Sequence, residues 1–191
     1  MKDRSSAEAR TRSSASDFFS YDALILERSL TAPQEFIEIY DRHAPQIYRY
    51  ALIRLGDELV DEAVVRIFLK AFRRRSSFSS RSRTVRTWLY GIASGVISSY
   101  RRQETRRYRA MAQDSSMHSA DDACMVRRIA KTLGALPQKQ RDAYLLVTWA
   151  PLSLTEAAQA LEIPTARLQT RFNQACRRMA AELTVAPREA P

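Results

Sequence analysis

The apolar positions of this chain fall into helical stripes separated by short polar breaks. From Pro33 onward, Phe36, Ile37, Tyr40, Ile47, Tyr48, Ala51, Leu52 and Leu55 mark one long amphipathic segment, with a bend expected at Pro45 and Gly56-Asp57 closing it. Leu59, Val60, Ala63, Val64, Ile67, Phe68, Ala71 and Phe72 then recur in pairs every four residues, which predicts a second, strongly buried helix. A Ser/Arg-rich break from Arg73 to Arg86, with Phe78 as its one aromatic, leads into a third helix from Thr87 to about Tyr100, marked by Trp88, Leu89, Ile92, Val96 and Ile97. Residues 103–124 show no such period and carry Asp114, Ser115, Ser116, Asp121 and Asp122, the composition of a linker. Val126, Ile129, Ala130 and Leu133 open a second unit, and Leu136-Pro137 starts a further helix with Ala143, Leu146, Val147 and Trp149. No segment alternates like a strand, and no Gly-rich loop could cradle a nucleotide. The expected fold is therefore all-α, two small helical domains joined by a flexible linker. The first sixteen residues are polar and of low complexity and are expected to be disordered, whereas Phe18 to Leu30 could form a short helix.

The pattern is richest near the C-terminus. Ser153 and Glu156 have the spacing of a capping box, in which the hydroxyl takes a first-turn N–H and the carboxylate reaches back to the Ser153 amide. A short helix follows through Ala157, Ala158 and Leu161, its small residues allowing a partner helix to pack closely. Glu162-Ile163-Pro164 turns the chain, and Pro164 suits the first position of the next helix, where its missing N–H costs nothing. From there Leu168, Phe172, Ala175, Met179 and Leu183 recur at steps of four, three, four and four. With that stripe buried, Thr170, Asn173, Gln174 and Arg177 face outward and Arg167, Gln169 and Arg171 flank them. Short helix, turn and basic amphipathic helix in this order read as a DNA-binding helix-turn-helix, whose second helix enters the major groove. Gln169, Thr170, Asn173 and Gln174 are then the candidates for base readout, and Arg167, Arg171 and Arg177 for phosphate contact. An ordinary αα-hairpin with a solvated polar face has the same pattern.

Charge bears on that alternative. The 191 residues carry a formal net charge of +10, which favours a polyanionic partner. The excess is local, since Lys70 to Arg109 holds twelve Lys/Arg and a single acid, Glu104. No apolar run has the length of a membrane span or a signal-peptide core, so a cytoplasmic chain without membrane insertion is expected. Cys124, Cys176, His43 and His118 are scattered without metal-ligand spacing, and no cofactor or metal is expected. Cys176 flanks the apolar stripe of its helix and reads as a packing residue. The acids fall on helix surfaces or in the linker rather than in the clusters a nuclease metal would need, so the chain is not expected to be an enzyme.

Four blocks, Phe36-Ile-Glu-Ile-Tyr-Asp-Arg-His, Phe68-Leu-Lys-Ala-Phe-Arg-Arg, Thr87-Trp-Leu-Tyr-Gly-Ile-Ala and Leu136-Pro through Arg178, resemble in order and spacing the extracytoplasmic-function sigma factors of bacterial RNA polymerase, in the sigma-70 family. The resemblance spans residues 34 to about 183. It implies a tail (1–30), a region 2-like domain (31–102) that binds core RNA polymerase and melts the −10 element, and a linker (103–124). A region 4-like helix-turn-helix (125–184) reading the −35 element and a short tail (185–191) would follow. In such proteins the linker threads into the polymerase cleft, a role Asp114, Asp121 and Asp122 would suit. Melting needs aromatic stacking partners and a cationic track, and base–aromatic stacking contributes roughly 1 to 3 kcal/mol per base. Phe78, Trp88 and Tyr90 with Arg81, Arg83 and Arg86 would supply both, in the Ser76–Val85 loop where the family captures a flipped base and beside it. Gly95 and Ser99 stand where the family carries base-reading Asn and Asp, which implies an unusual or relaxed −10 preference. Glu62, Val65, Arg66 and Phe68 fall at the polymerase-docking positions, but Val65 and Arg66 replace a polar and an acidic residue. The implied partners are core RNA polymerase, promoter DNA and an anti-sigma factor. Two alternatives stay open at this point: a DNA-binding regulator without polymerase binding, and a sigma mimic that sequesters an anti-sigma factor.

Overall fold

A computed structural model describes residues 21–113 and 120–184, with the side chains of 120–123, 183 and 184 left aside. The expected tails at 1–16 and 185–191 lie outside these residues. Helix α1 occupies residues 21–28, and a 3-10 turn started by Pro33 leads into α2 (Phe36–Leu55). α2 runs unbroken through Pro45, which sits on its exposed side. Gly56 alone joins α2 to α3 (Asp57–Arg74): its φ of 80° and an amide that donates to the Leu52 carbonyl end one helix, and the next residue starts another. α4 (Val85–Ile97) begins two residues before the expected start, because Thr84 caps it by accepting from the Thr87 amide.

Residues 103–113 overturn the linker expectation. After a 3-10 turn at Ser98–Tyr100 the chain continues as α5 (Arg101–Gln113), which packs closely against α6 (Ala120–Ala135). α6 includes the backbone of Asp121 and Asp122, while Asp114 lies outside the described residues. The helical period of α5 is present in the sequence as Glu104, Tyr108 and Met111, but its first member is an acid. Glu104 is fully buried, so an ion pair stands where the pattern would have shown a leucine.

α7 (Gln138–Thr148) follows, and Arg141 turns back from it to donate to the carbonyls of Leu133, Gly134 and Leu136, satisfying the open C-terminus of α6. The capping box forms as expected at the start of α8 (Leu154–Ala160). Glu162, at a φ of 54°, makes the turn, and α9 (Thr165–Thr184) begins one residue beyond Pro164, whose carbonyl accepts from Leu168.

The described residues contain helices and no strand. They share one apolar core that runs from Ile25 on α1 through Leu89 on α4 to Leu146 on α7 and Leu168 on α9. Each such fully buried aliphatic side chain contributes about 1.5–3 kcal/mol. The first four helices and the last three are therefore packed on one another, through α4 against α8, with the α5–α6 hairpin alongside.

Candidate nucleic-acid interface

The two faces of α9 divide as the sequence implies. Leu168, Ala175 and Met179 are buried, and Phe172 stacks on Tyr144 with centroids 6.1 Å apart. The Leu183 side chain lies outside the described residues. Cys176 is half-buried and burial pushes its thiol up, as befits a packing residue. Arg167, Thr170, Asn173, Gln174 and Arg177 are exposed and Gln169 and Arg171 are half-buried, so all seven expected DNA-contacting residues share the accessible side. Two of their amides are already oriented. Gln169 Nε2 donates to Asn173 Oδ1 at 3.1 Å, and Gln140 Nε2 on α7 donates to Gln174 Oε1 at 2.8 Å. With their oxygens engaged, Asn173 and Gln174 turn amide N–H groups outward, suited to the acceptor atoms of guanine, adenine or thymine in a major groove.

The basic loop differs from its expectation. Arg81 is exposed, and Arg83 and Arg86 are half-buried. Trp88 and Tyr90 are core residues with 3% and 1% exposure, because α4 is covered by α2, α3 and α8. Phe78 rests edge-on against Trp88 at 5.5 Å. Of the three aromatics expected to stack on bases, only Phe78 keeps an accessible part. Gly95 and Ser99 are exposed on the same helix and the turn after it, and a Cβ on Gly95 would meet only Lys70 Nζ, at an ordinary 3.7 Å.

On α3, Glu62, Val65 and Arg66 are exposed, and Tyr100 links the two charges: its hydroxyl donates to Glu62 at 3.0 Å and accepts from Arg66 at 2.9 Å. Phe68 is buried, edge-on to Tyr40 at 4.8 Å, and supports this surface from beneath rather than presenting itself for docking. Ile37 and Tyr40, expected on the buried stripe of α2, are instead exposed, as are Val65 and Leu69 on α3. The sequence signal for this apolar patch is that Ile37 and Leu69 directly adjoin the truly buried Phe36 and Phe68, which puts them about 100° round the helix.

Ionic contacts tie the two halves together, among them Arg141 on α7 with Glu104 on α5 at 3.2 Å. Arg54, wholly buried on α2, donates to Glu104 Oε1 at 2.7 Å, Asp142 Oδ1 at 2.6 Å and the Tyr50 hydroxyl at 2.8 Å. Burial works against charge on Arg54, but Tyr50, Glu104 and Asp142 outweigh it and hold the guanidinium well above its ordinary value. Burial pushes the Asp142 carboxyl up, and Arg54 pulls it back only in part. Nearer the loop, Arg86 pairs with Glu156 at 2.7 Å and Arg83 with Glu162 at 2.9 Å. Sequence reasoning missed both pairs, which join positions 70 and 79 apart. Among the described residues no group of three or more His, Cys, Asp or Glu is arranged to hold a metal, and no helix is long and apolar enough to cross a membrane.

A sequence model of the family described as Sigma-70 region 2 matches residues 39–107, from within α2 to the middle of α5. These residues are a sigma-70 region 2 domain. The match thus takes in residues 103–107, the start of the segment expected to be linker. The fold as a whole is similar to that of CnrH, solved in complex with the cytosolic domain of CnrY, at 22% identity and a TM-score of 0.64 over 85% of this chain and 96% of that one. It is also similar to the sigma factor RpoE, solved with the anti-sigma factor NepR from Bartonella quintana, at 19% identity and a TM-score of 0.57 over 80% of this chain and 98% of that one. A comparison of the sequence with curated proteins finds no match. Both neighbours show the fold that this chain shares with them.

Proposed function

We propose that the chain is a dissociable sigma factor, not itself an enzyme, that directs core RNA polymerase to a set of promoters. The observation that carries this reading is the union in one chain of a region 2 domain with a helix-turn-helix whose recognition-helix face is polar, cationic and accessible. In this reading the region 2 surface formed by Glu62, Val65 and Arg66, extended by the exposed Ile37, Tyr40 and Leu69, docks on the polymerase. On α9, Gln169, Thr170, Asn173 and Gln174 read the −35 element while Arg167, Arg171 and Arg177 hold phosphates. Arg81, Arg83 and Arg86 supply the cationic track for the melted −10 strand, and Phe78 its one stacking partner. Gly95 leaves room where a longer side chain would read a base, which fits a relaxed −10 preference. A cytoplasmic chain with an anti-sigma factor as partner accords with the fold shared with RpoE, itself solved with one.

Co-elution with bacterial core RNA polymerase on size exclusion, followed by run-off transcription, tests the reading. Stoichiometric co-elution that is weakened by Glu62→Lys and Val65→Glu, both at exposed positions, is expected. Absence of co-elution with the cognate enzyme would transfer the assignment to a DNA-binding regulator that acts without the polymerase.

A further inference from the structure

A second concentration of positive charge involves neither α9 nor the loop between α3 and α4. On α5, a rotation of about 100° per residue brings Arg101, Arg102, Thr105, Arg106 and Arg109 within about 140° of one side of the helix, along a row about 12 Å long. The four arginines are exposed and pair with no acid among the described residues. Glu104, the one acid of this basic run, is turned into the core toward Arg54 and Arg141. The row forms one wall of a cleft of about 510 Å³, and Arg141 of α7 lies on its other side. Arg141 covers the carbonyls of Gly134 and Leu136 at 3.2 and 3.1 Å, so the C-terminal end of α6 presents a guanidinium where bare carbonyls would repel an anion. Its Nη1 also donates to Thr105 Oγ1 at 3.3 Å, which leaves the Thr105 hydroxyl hydrogen to donate into the cleft.

We propose that this cleft binds a chain of linked phosphates, the chemistry shared by the triphosphate tail of a nucleotide and by inorganic polyphosphate. Leu136 is the one apolar side chain in its lining, so the site selects its ligand by charge and hydrogen bonding. A single phosphate can meet one or two guanidinium forks, whereas the full row of arginines needs a longer run of anionic oxygens. A cleft lined by one sign of charge also raises the local concentration of such anions. The bound chain relieves the mutual repulsion of the arginines and bridges α5 to α7, which stabilises the fold by mass action. This site does not depend on the promoter reading above.

Calorimetric titration of the full-length chain with sodium tripolyphosphate at about 150 mM salt tests it, a strength at which loose surface attraction is largely screened. Saturable binding at one site is expected, with orthophosphate and AMP at least roughly tenfold weaker. Arg102→Gln with Arg109→Gln, both at exposed positions and both keeping a good helix former, should weaken tripolyphosphate roughly tenfold or more, as removal of two charge-assisted contacts implies. The α9 pair Arg167→Gln with Arg171→Gln removes the same charge elsewhere and should leave the affinity within about twofold. Thermal melting supplies a second readout: tripolyphosphate should raise the Tm of the native chain and of the α9 pair, but not that of the α5 pair. ATP and a long linear polyphosphate distinguish the sources, the tighter of the two being the class the cleft is built for. No binding of tripolyphosphate, binding of orthophosphate as tight as that of tripolyphosphate, or equal loss in the two pairs would overturn the proposal. Loss of duplex DNA affinity in the α5 pair, with tripolyphosphate never bound, would overturn it in favour of a nucleic-acid contact.

Discussion

Replacing Arg54 with methionine removes the one cation that faces both Glu104 and Asp142 while keeping an unbranched side chain of similar reach. Glu104 would retain Arg141 Nη1 at 3.2 Å and Gln138 Nε2 at 3.2 Å, whereas Asp142 would retain only Gln138 Nε2 at 3.1 Å. The variant is thus left with a buried carboxylate that has lost its counter-ion, a change that costs about 3–5 kcal/mol. For a chain of this size that corresponds to a fall in Tm of roughly 6–20 °C. Urea unfolding at constant m-value measures it. The pH dependence supplies a second readout. Asp142 already has its folded-state pKa raised by burial, and loss of Arg54 raises it further. Between the unfolded-state value of about 4 and that raised value the folded chain binds more protons than the unfolded one, so stability falls as pH rises. The deficit of Arg54→Met should accordingly widen on going from about pH 4 to neutrality. Adding Asp142→Leu to Arg54→Met should restore about 1–3 kcal/mol, because it removes the stranded charge. A loss below about 1 kcal/mol for the single variant, or a double variant no more stable than the single, would refute the view that this network is a stability-critical counter-ion arrangement.

Other expectations are more local. Ser153→Ala removes the hydroxyl arm of the capping box and should lower stability by about 0.5–2 kcal/mol in urea unfolding. Arg167→Ala should weaken binding of duplex DNA on every sequence and flatten the salt slope by about one unit, whereas Gln174→Ala should change which −35 sequences are preferred; equal loss on all sequences from the Gln174 change would sink its readout role. Gly95→Asn should fold normally, given the ordinary contact a Cβ would make there, and should sharpen discrimination among −10 sequences in run-off transcription. Because Glu156 has its folded-state pKa lowered, its contribution to stability is present above the ordinary carboxylate value and lost as pH falls through the lowered one; replacing it with Gln should flatten the acid limb of a pH–stability curve.

The long helices were legible in the sequence because their buried faces are apolar and regularly spaced, and α9 showed both of its faces clearly. α5 was not, because the buried position that begins its stripe is Glu104, the only acid in the basic run. That isolated acid was the available signal: a lone carboxylate among twelve cations has many ways to be paired and buried. The expected stacking role of Trp88 and Tyr90 failed for a related reason. Aromatic residues next to a cationic loop serve a core as readily as a ligand, and only the packing of α2, α3 and α8 around α4 decides between the two. The pairs of Arg83 and Arg86 depend on tertiary placement that no local pattern encodes.

Glu156 sits at an intersection. Its Oε2 accepts from the Ser153 amide and hydroxyl, and its Oε1 accepts from Arg86. One side chain therefore both starts a seven-residue helix and fastens that helix to region 2. Secondary structure and domain arrangement are thereby wired in series, since a movement that draws Arg86 away also withdraws a charge-assisted bond from the residue that keeps the first turn of α8 wound. Alanine at this position would register as a single large effect with two causes. Glutamine, which keeps an acceptor for the cap while giving up the charge, separates them.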